Sequence, residues 1–191
     1  MNAPLPLVAT TIAPAKLAHL VFRTNQLATM VDWYCTVLGA RVAHADDKIS
    51  FITYDDEHHR VAFVATAPYA PKPEKTTVGF YHVAFTYRGI GELLSTYQRL
   101  KGREILPWRA IHHGPTCSMY YRDPDRNDVE LQVDSFADAE SASAYMRGEA
   151  FGRDPIGILF NPDELVAKYQ SGVPEADLVR RPDADYSEVG K

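Results

Sequence analysis

Residues 17–23, LAHLVFR, form a mostly apolar run interrupted once, by His19. A short continuous run of this kind predicts a buried strand. Leu27, Met30, Val31, Tyr34 and Leu38 then recur at helical spacing, and Gly39 follows them as a stop. Three β-rich runs come next, at 41–44, 49–54 and 59–65, separated by the polar stretches 45–48 and 55–58. Pro68, Pro71 and Pro73 mark a linker. The pattern then restarts. FYHVAFTY (80–87) reads as a strand centred on His82, and 90–101 as a helix closed by Gly102. On one constant, gap-free offset His19 aligns with His82, Phe22 with Phe85, Tyr34 with Tyr97 and Gly39 with Gly102. Apolar matches within a helical period are common, but a matched His, Tyr and closing Gly on one offset identify an internal duplication of a β-α-β-β-β module.

The second module ends in a hairpin. Residues 116–122 and 128–133 are β-rich, and Asp123-Pro124-Asp125 supplies the turn between them. In the second strand Val129, Leu131 and Val133 point one way and Asp128, Glu130 and Gln132 the other. Beyond the repeat, 138–147 reads as a helix ending at Gly148. Asn161-Pro162-Asp163-Glu164 opens another, with Asn as N-cap and Pro at the first helical position, that runs to about residue 171. The final residues, rich in Asp, Arg and Pro, have too little apolar content to fold alone and are expected to lie on the barrel or on a neighbouring subunit. The expected fold is α+β: two βαβββ modules (about 16–66 and 79–134) forming a metal-lined half-barrel over residues 16–135, followed by a helical arm, 136–191. Segments 66–79 and 103–115 read as loops bordering the pocket.

Composition narrows the partners. A chain of 191 residues is long enough to bury a full core, and its formal net charge of −5 argues against nucleic acid or an anionic membrane as partner. The opening MNAPLPLVATTIAPAK is broken by prolines and has no basic residue before Lys16, unlike a signal peptide. No apolar run approaches the ~18 residues of a membrane span. Two cysteines, Cys35 and Cys117, fit reduced thiols of a cytoplasmic protein.

His19 and His82 occupy equivalent places in duplicated strands, and each stands among apolar neighbours, which predicts burial. One buried His is ordinarily a satisfied core residue. Two related by duplication, with Glu130 on a polar strand face, point instead to a metal site of two imidazoles and one carboxylate. That set leaves positions open on an octahedral ion, which suits non-haem Fe(II) binding a substrate and O₂ together. Taken alone, Glu130 is also readable as a solvated carboxylate, His58-His59 as a solvated pair at a loop–strand junction, and Tyr120 as a core aromatic.

His19 in LAHLVF, His82 in YHVAF and Glu130 in DPDRNDVEL resemble the metal ligands of the vicinal-oxygen-chelate superfamily. More narrowly, the chain resembles the one-domain type I extradiol ring-cleavage dioxygenases. FITYDDEHHRVAF (51–63) is similar to that group's strand bearing a His-His pair, HHGPT (112–116) to its His-Gly motif, and Tyr120 to its catalytic tyrosine. The segment around NPDEL (161–165) is similar to C-terminal arms in the group. The resemblance implies Fe(II), with Mn(II) as the alternative, on His19, His82 and Glu130. It implies His59 as an acid/base assisting O₂ activation, His113 as a hydrogen-bonding residue and Tyr120 as catalytic. His112 competes with His113 for that role; Gly114 after His113 favours the latter. It further implies a catecholic substrate cleaved with O₂ to a muconic-semialdehyde-type product; exposed sheet edges and the arm point separately to a homo-oligomer, a dimer or larger. Arg126 stands where the group's turn usually carries a Gly that relieves positive φ, so a strained or reshaped turn is expected there. Two rivals fit less well. A glyoxalase-like isomerase or epimerase would need a fourth ligand, and 59–66 offers no carboxylate. A sequestering protein of the drug-resistance type usually lacks the ligands altogether.

Overall fold

The computed structural model describes residues 11–74 and 77–182; the end of the expected arm, 183–191, lies outside them. The first module runs β1 (Leu20–Arg23), α1 (Leu27–Leu38), β2 (Arg41–Ala45), β3 (Ile49–Thr53) and β4 (Val61–Val64). The second runs β5 (His82–Tyr87), α2 (Ile90–Lys101), β6 (Arg109–His112), β7 (Thr116–Arg122) and β8 (Asp128–Asp134). Each module closes its sheet by pairing its first strand in parallel with its last, β1 with β4 and β5 with β8. The strand orders are therefore β1-β4-β3-β2 and β5-β8-β7-β6. The helix between the first two strands is the crossover that a parallel pair requires. Beyond β8 come α3 (Ala139–Arg147), α4 (Glu149–Arg153), β9 (Ile158–Leu159), α5 (Pro162–Gln170) and α6 (Glu175–Leu178). The two-residue β9 adds itself antiparallel to β6.

Both helices lie on one side of their sheets. From α1, Met30, Tyr34 and Val37 are buried; from α2, Ile90, Leu93, Leu94, Tyr97 and Leu100. They meet Val61, Phe63, Val129 and Leu131 in one continuous core, where each large side chain contributes about 1.5–3 kcal/mol. The modules are pinned together by polar contacts as well. The Tyr34 hydroxyl donates to Asp123 Oδ2 across 3.0 Å in a buried setting, and Gln26 Nε2 donates to Asp125 Oδ1 at 2.6 Å. Helix α1 has no basic residue in its last turn. Arg99 of α2 takes that place, donating to the carbonyls of Thr36 and Val37.

Several details depart from the sequence reading. Segment 103–115 is not wholly loop, since β6 lies within it, and the short elements α4, β9 and α6 lacked any periodic signal. The predicted strand 17–23 begins only at Leu20, so His19 precedes it and is exposed rather than buried. Likewise β4 starts after His59. The two closing glycines also differ. Gly39 adopts φ 63°, whereas Gly102 stays at φ −64° and Glu104, two residues on, takes φ 61°. Arg126 has φ 66°, so of the two outcomes expected at the missing glycine the turn is strained.

Two measurements check these points. Arg126→Gly relieves left-handed strain at an exposed site and is expected to raise unfolding stability by roughly 1 kcal/mol. Tyr34→Phe removes one of the donors to the buried Asp123, whose bonds from Asn127 remain, and is expected to lower it by about 1–2 kcal/mol. Urea denaturation reads both.

Candidate active site

Pairing register decides which side chains share a face. Ala84 lies opposite Glu130 on β8, and Glu130 opposite Tyr120 on β7. Alternation then puts His82, Glu130 and Tyr120 on the face turned away from α2. There the His82 Nε2 and Glu130 Oε2 atoms are 3.0 Å apart, with the carboxylate nearly fully buried. The Tyr120 and His82 rings meet edge to face at 5.6 Å. The Tyr120 hydroxyl lies 2.8 Å from His113 Nε2. Burial raises the Tyr120 pKa first, and the neighbouring Glu130 carboxylate raises it further, so the hydroxyl keeps its proton at neutral pH. Burial lowers that of His113. Tyr81 and Trp108, both substantially exposed, stand beside His82 and Tyr120 respectively.

A second group forms on the other sheet. The His19 ring lies 4.4 Å from that of His59, which stacks on Phe51 at 4.7 Å. His58 and His59 approach through their Nδ1 atoms at 2.6 Å. Burial, then the neighbouring His19 and His58, lower the His59 pKa, which keeps this imidazole neutral near pH 7. Arg60 holds the segment before β1 in place: it donates to the carbonyls of Leu17 and Ala18 and pairs with Asp55 at 2.9 Å. No sequence signal marked Arg60 for that task.

The expected site residues thus fall into two sets, His82/Glu130/Tyr120/His113 and His19/His59. Among the described residues no three His, Cys, Asp or Glu side chains are placed to hold one metal ion. His82 and Glu130 fit half of such a site. They offer an imidazole nitrogen and a carboxylate oxygen to one point, the donor types that suit a first-row divalent ion, and His82 Nδ1 is buried without a hydrogen-bond partner. His112 is not at this face. It points to the opposite side of β6, is buried, and leaves His113 as the residue on Tyr120.

Two modules with an imidazole just before or on the first strand of each, and a carboxylate on the last, define a class, and the chain belongs to the Glyoxalase/Bleomycin resistance protein/Dioxygenase superfamily, which it matches over residues 16–131. Within that class it is 47% identical over 173 residues to a protein of Rhodococcus globerulus named biphenyl-2,3-diol 1,2-dioxygenase 3, with 90% of each chain covered. To the protein named biphenyl-2,3-diol 1,2-dioxygenase 2 of the same organism it is 44% identical over 163 residues, with 85% of each covered. The crystal structure of a lactoylglutathione lyase from Agrobacterium tumefaciens shares the fold. Its TM-score is 0.50 at 21% identity, covering 63% of this chain and 94% of that one. The chain is an enzyme, a dioxygenase of the extradiol ring-cleaving type. No helix among the described residues is long and apolar enough to cross a membrane.

Tyr120→Phe removes the hydroxyl between His113 and Glu130 without emptying its space. Oxygen-uptake kinetics are expected to show kcat lower by about 10²-fold, with the fold and metal content retained.

Proposed function

We propose that this dioxygenase opens a catechol-type ring beside its two hydroxyls, using Fe(II), or alternatively Mn(II), held by His19, His82 and Glu130. The product is of the muconic-semialdehyde type. The observation that carries the reading is the pairing of His82 with Glu130 at 3.0 Å beside a hydroxyl–imidazole pair, Tyr120 and His113. The activity is metal-dependent. An Fe(II) ion so held supplies a Lewis acid and an electron path between the diol and O₂. Around it the chain handles protons: neutral His59 accepts one from a diol hydroxyl and can return it, while Tyr120 and His113 hold a shared proton at the other end. The two Rhodococcus relatives are named for biphenyl-2,3-diol. An aryl-substituted catechol is the preferred substrate here too, with Tyr81 and Trp108 offering apolar ring faces at the rim. Two free thiols, Cys35 and Cys117, fit a cytoplasmic setting.

The two sets of site residues are reconciled by a homo-oligomer. Among the described residues, strands β1 and β5, which adjoin the candidate ligands, are each paired on one side only, and Val21 on β1 is 56% exposed. A second copy related by a twofold axis would set His19 and His59 of one copy against His82, Glu130, Tyr120 and His113 of the other, forming two such sites at once and covering both edges. The ligand set and the sharing are tested together. His19→Ala and Glu130→Ala variants, carrying different tags, are co-expressed and the mixed dimer is isolated. Each variant alone is expected to lose iron and turnover. The mixed dimer is expected to regain roughly half of each, because one of its two sites carries all three ligands. No regain would place the complete site within single chains. Full iron and turnover in either variant alone would overturn the ligand assignment.

A further inference from the structure

A carbonyl oxygen can accept a hydrogen bond but never donate one. His113 Nδ1 lies 2.5 Å from the carbonyl oxygen of Ile156, so this nitrogen carries a hydrogen. In the neutral ring the other nitrogen, Nε2, then has only a lone pair to offer. At 2.8 Å from the Tyr120 hydroxyl, it accepts from that hydroxyl. A ring free to turn or change tautomer could equally donate from Nε2. The Ile156 carbonyl removes that choice.

Ile156 sits in the loop joining α4 to β9, and this loop is held from two sides. Toward the sheet, Gly157 has φ 95° and packs so tightly on the chain at 112–113 that any Cβ would overlap the His112 carbonyl. Strand β9 continues that contact by pairing Ile158 with His112. Toward the C-terminus, Asp154 Oδ1 accepts from the Gly157 amide at 3.0 Å. Its other oxygen and its own carbonyl accept from Arg181 Nη2 and Nη1, both at 2.7 Å. The Arg181 side chain is 4% exposed. A buried guanidinium donating to a side chain and to the same residue's backbone fixes the loop's path as well as its charge.

We infer that Asp154 and Arg181 are positioning residues for the ring-cleavage reaction: they clamp the 154–157 loop so that the Ile156 carbonyl locks His113 in the Nδ1–H tautomer, with Nε2 turned as an acceptor toward Tyr120. The inference rests on the reading that places His113 and Tyr120 at the reacting centre. It assigns a task to the polar segment after α6. That segment is a clamp on the far side of the site, which no contact with substrate would reveal.

The test uses the full chain. Long-range proton–nitrogen correlation spectra of protein labelled in its histidine ring nitrogens separate a protonated from an unprotonated nitrogen within one ring. The wild-type His113 is expected to show one of each, and Arg181→Ala to show signals averaged between tautomers. In the iron-loaded enzyme the same variant is expected to lose about tenfold in kcat, with KM little changed. Arg181→Lys, which keeps a cation near Asp154 but not the two-point hydrogen bonding to its carboxylate and carbonyl, is expected to recover part of both. Should Arg181→Ala fail to fold, Asp154→Asn decides by the same readouts, since it weakens the charge pair while keeping an acceptor for Gly157. A fixed single-tautomer signature with wild-type kcat in a folded variant overturns the inference. Absence of ring cleavage by the wild type would instead overturn the functional reading, and the nitrogen spectra would still decide whether the clamp sets the tautomer.

Discussion

A strand can send only alternate residues to one face, and the proposed active face of this enzyme depends on that constraint being met across three strands at once. Glu130 faces Ala84 on one side and Tyr120 on the other. A slip of one residue in either pairing would bury His82 or Tyr120 against α2 and turn a core valine or leucine toward the substrate. The register is secured away from the site, by Val129, Leu131 and Val133 packed against the second helix and by the turn at 123–127. The geometry of the candidate site and the core packing are therefore two faces of one set of strands, and neither can be altered without the other.

The turn itself ties the modules together. Asp123 orders the hairpin by accepting from the amide and side chain of Asn127, and accepts as well from Tyr34 of the other module. A single buried carboxylate thus couples the shape of the β7–β8 hairpin to the placement of the first helix. Lys72 of the linker donates to the carbonyl of Arg126 in the same turn. Strain at Arg126 is accordingly held in place by contacts on both sides.

Much of this was legible in the sequence. Helix bounds at 27–38 and 90–101, the hairpin strands and the Asn161 cap follow from periodicity and end signals that are local by nature. The duplication made His19 and His82 stand out because two matched histidines on one offset are hard to obtain by packing alone. What the sequence withheld was non-local. His19 belongs to a β-rich run, yet the strand begins one residue later, because Arg60 holds the carbonyls of Leu17 and Ala18 and turns the chain aside. Strand β6 was hidden in a stretch whose Pro107 and Trp108 gave no alternation. The role of the Ile156 carbonyl has no side-chain signature at all, and Arg181 stands in a segment that composition alone reads as unstructured.

The two closing glycines record how the repeat has aged. In the first module the left-handed residue is still the glycine itself, so the backbone requirement and the residue that meets it coincide. In the second, the left-handed residue is Glu104, and Gly102 keeps an ordinary helical conformation. The matched glycine that marks the repeat meets, in one copy only, a backbone requirement that glycine alone satisfies without strain. Ancestry and present necessity have parted there, and a pattern shared by two halves of a chain dates a fold more reliably than it marks what the fold now needs.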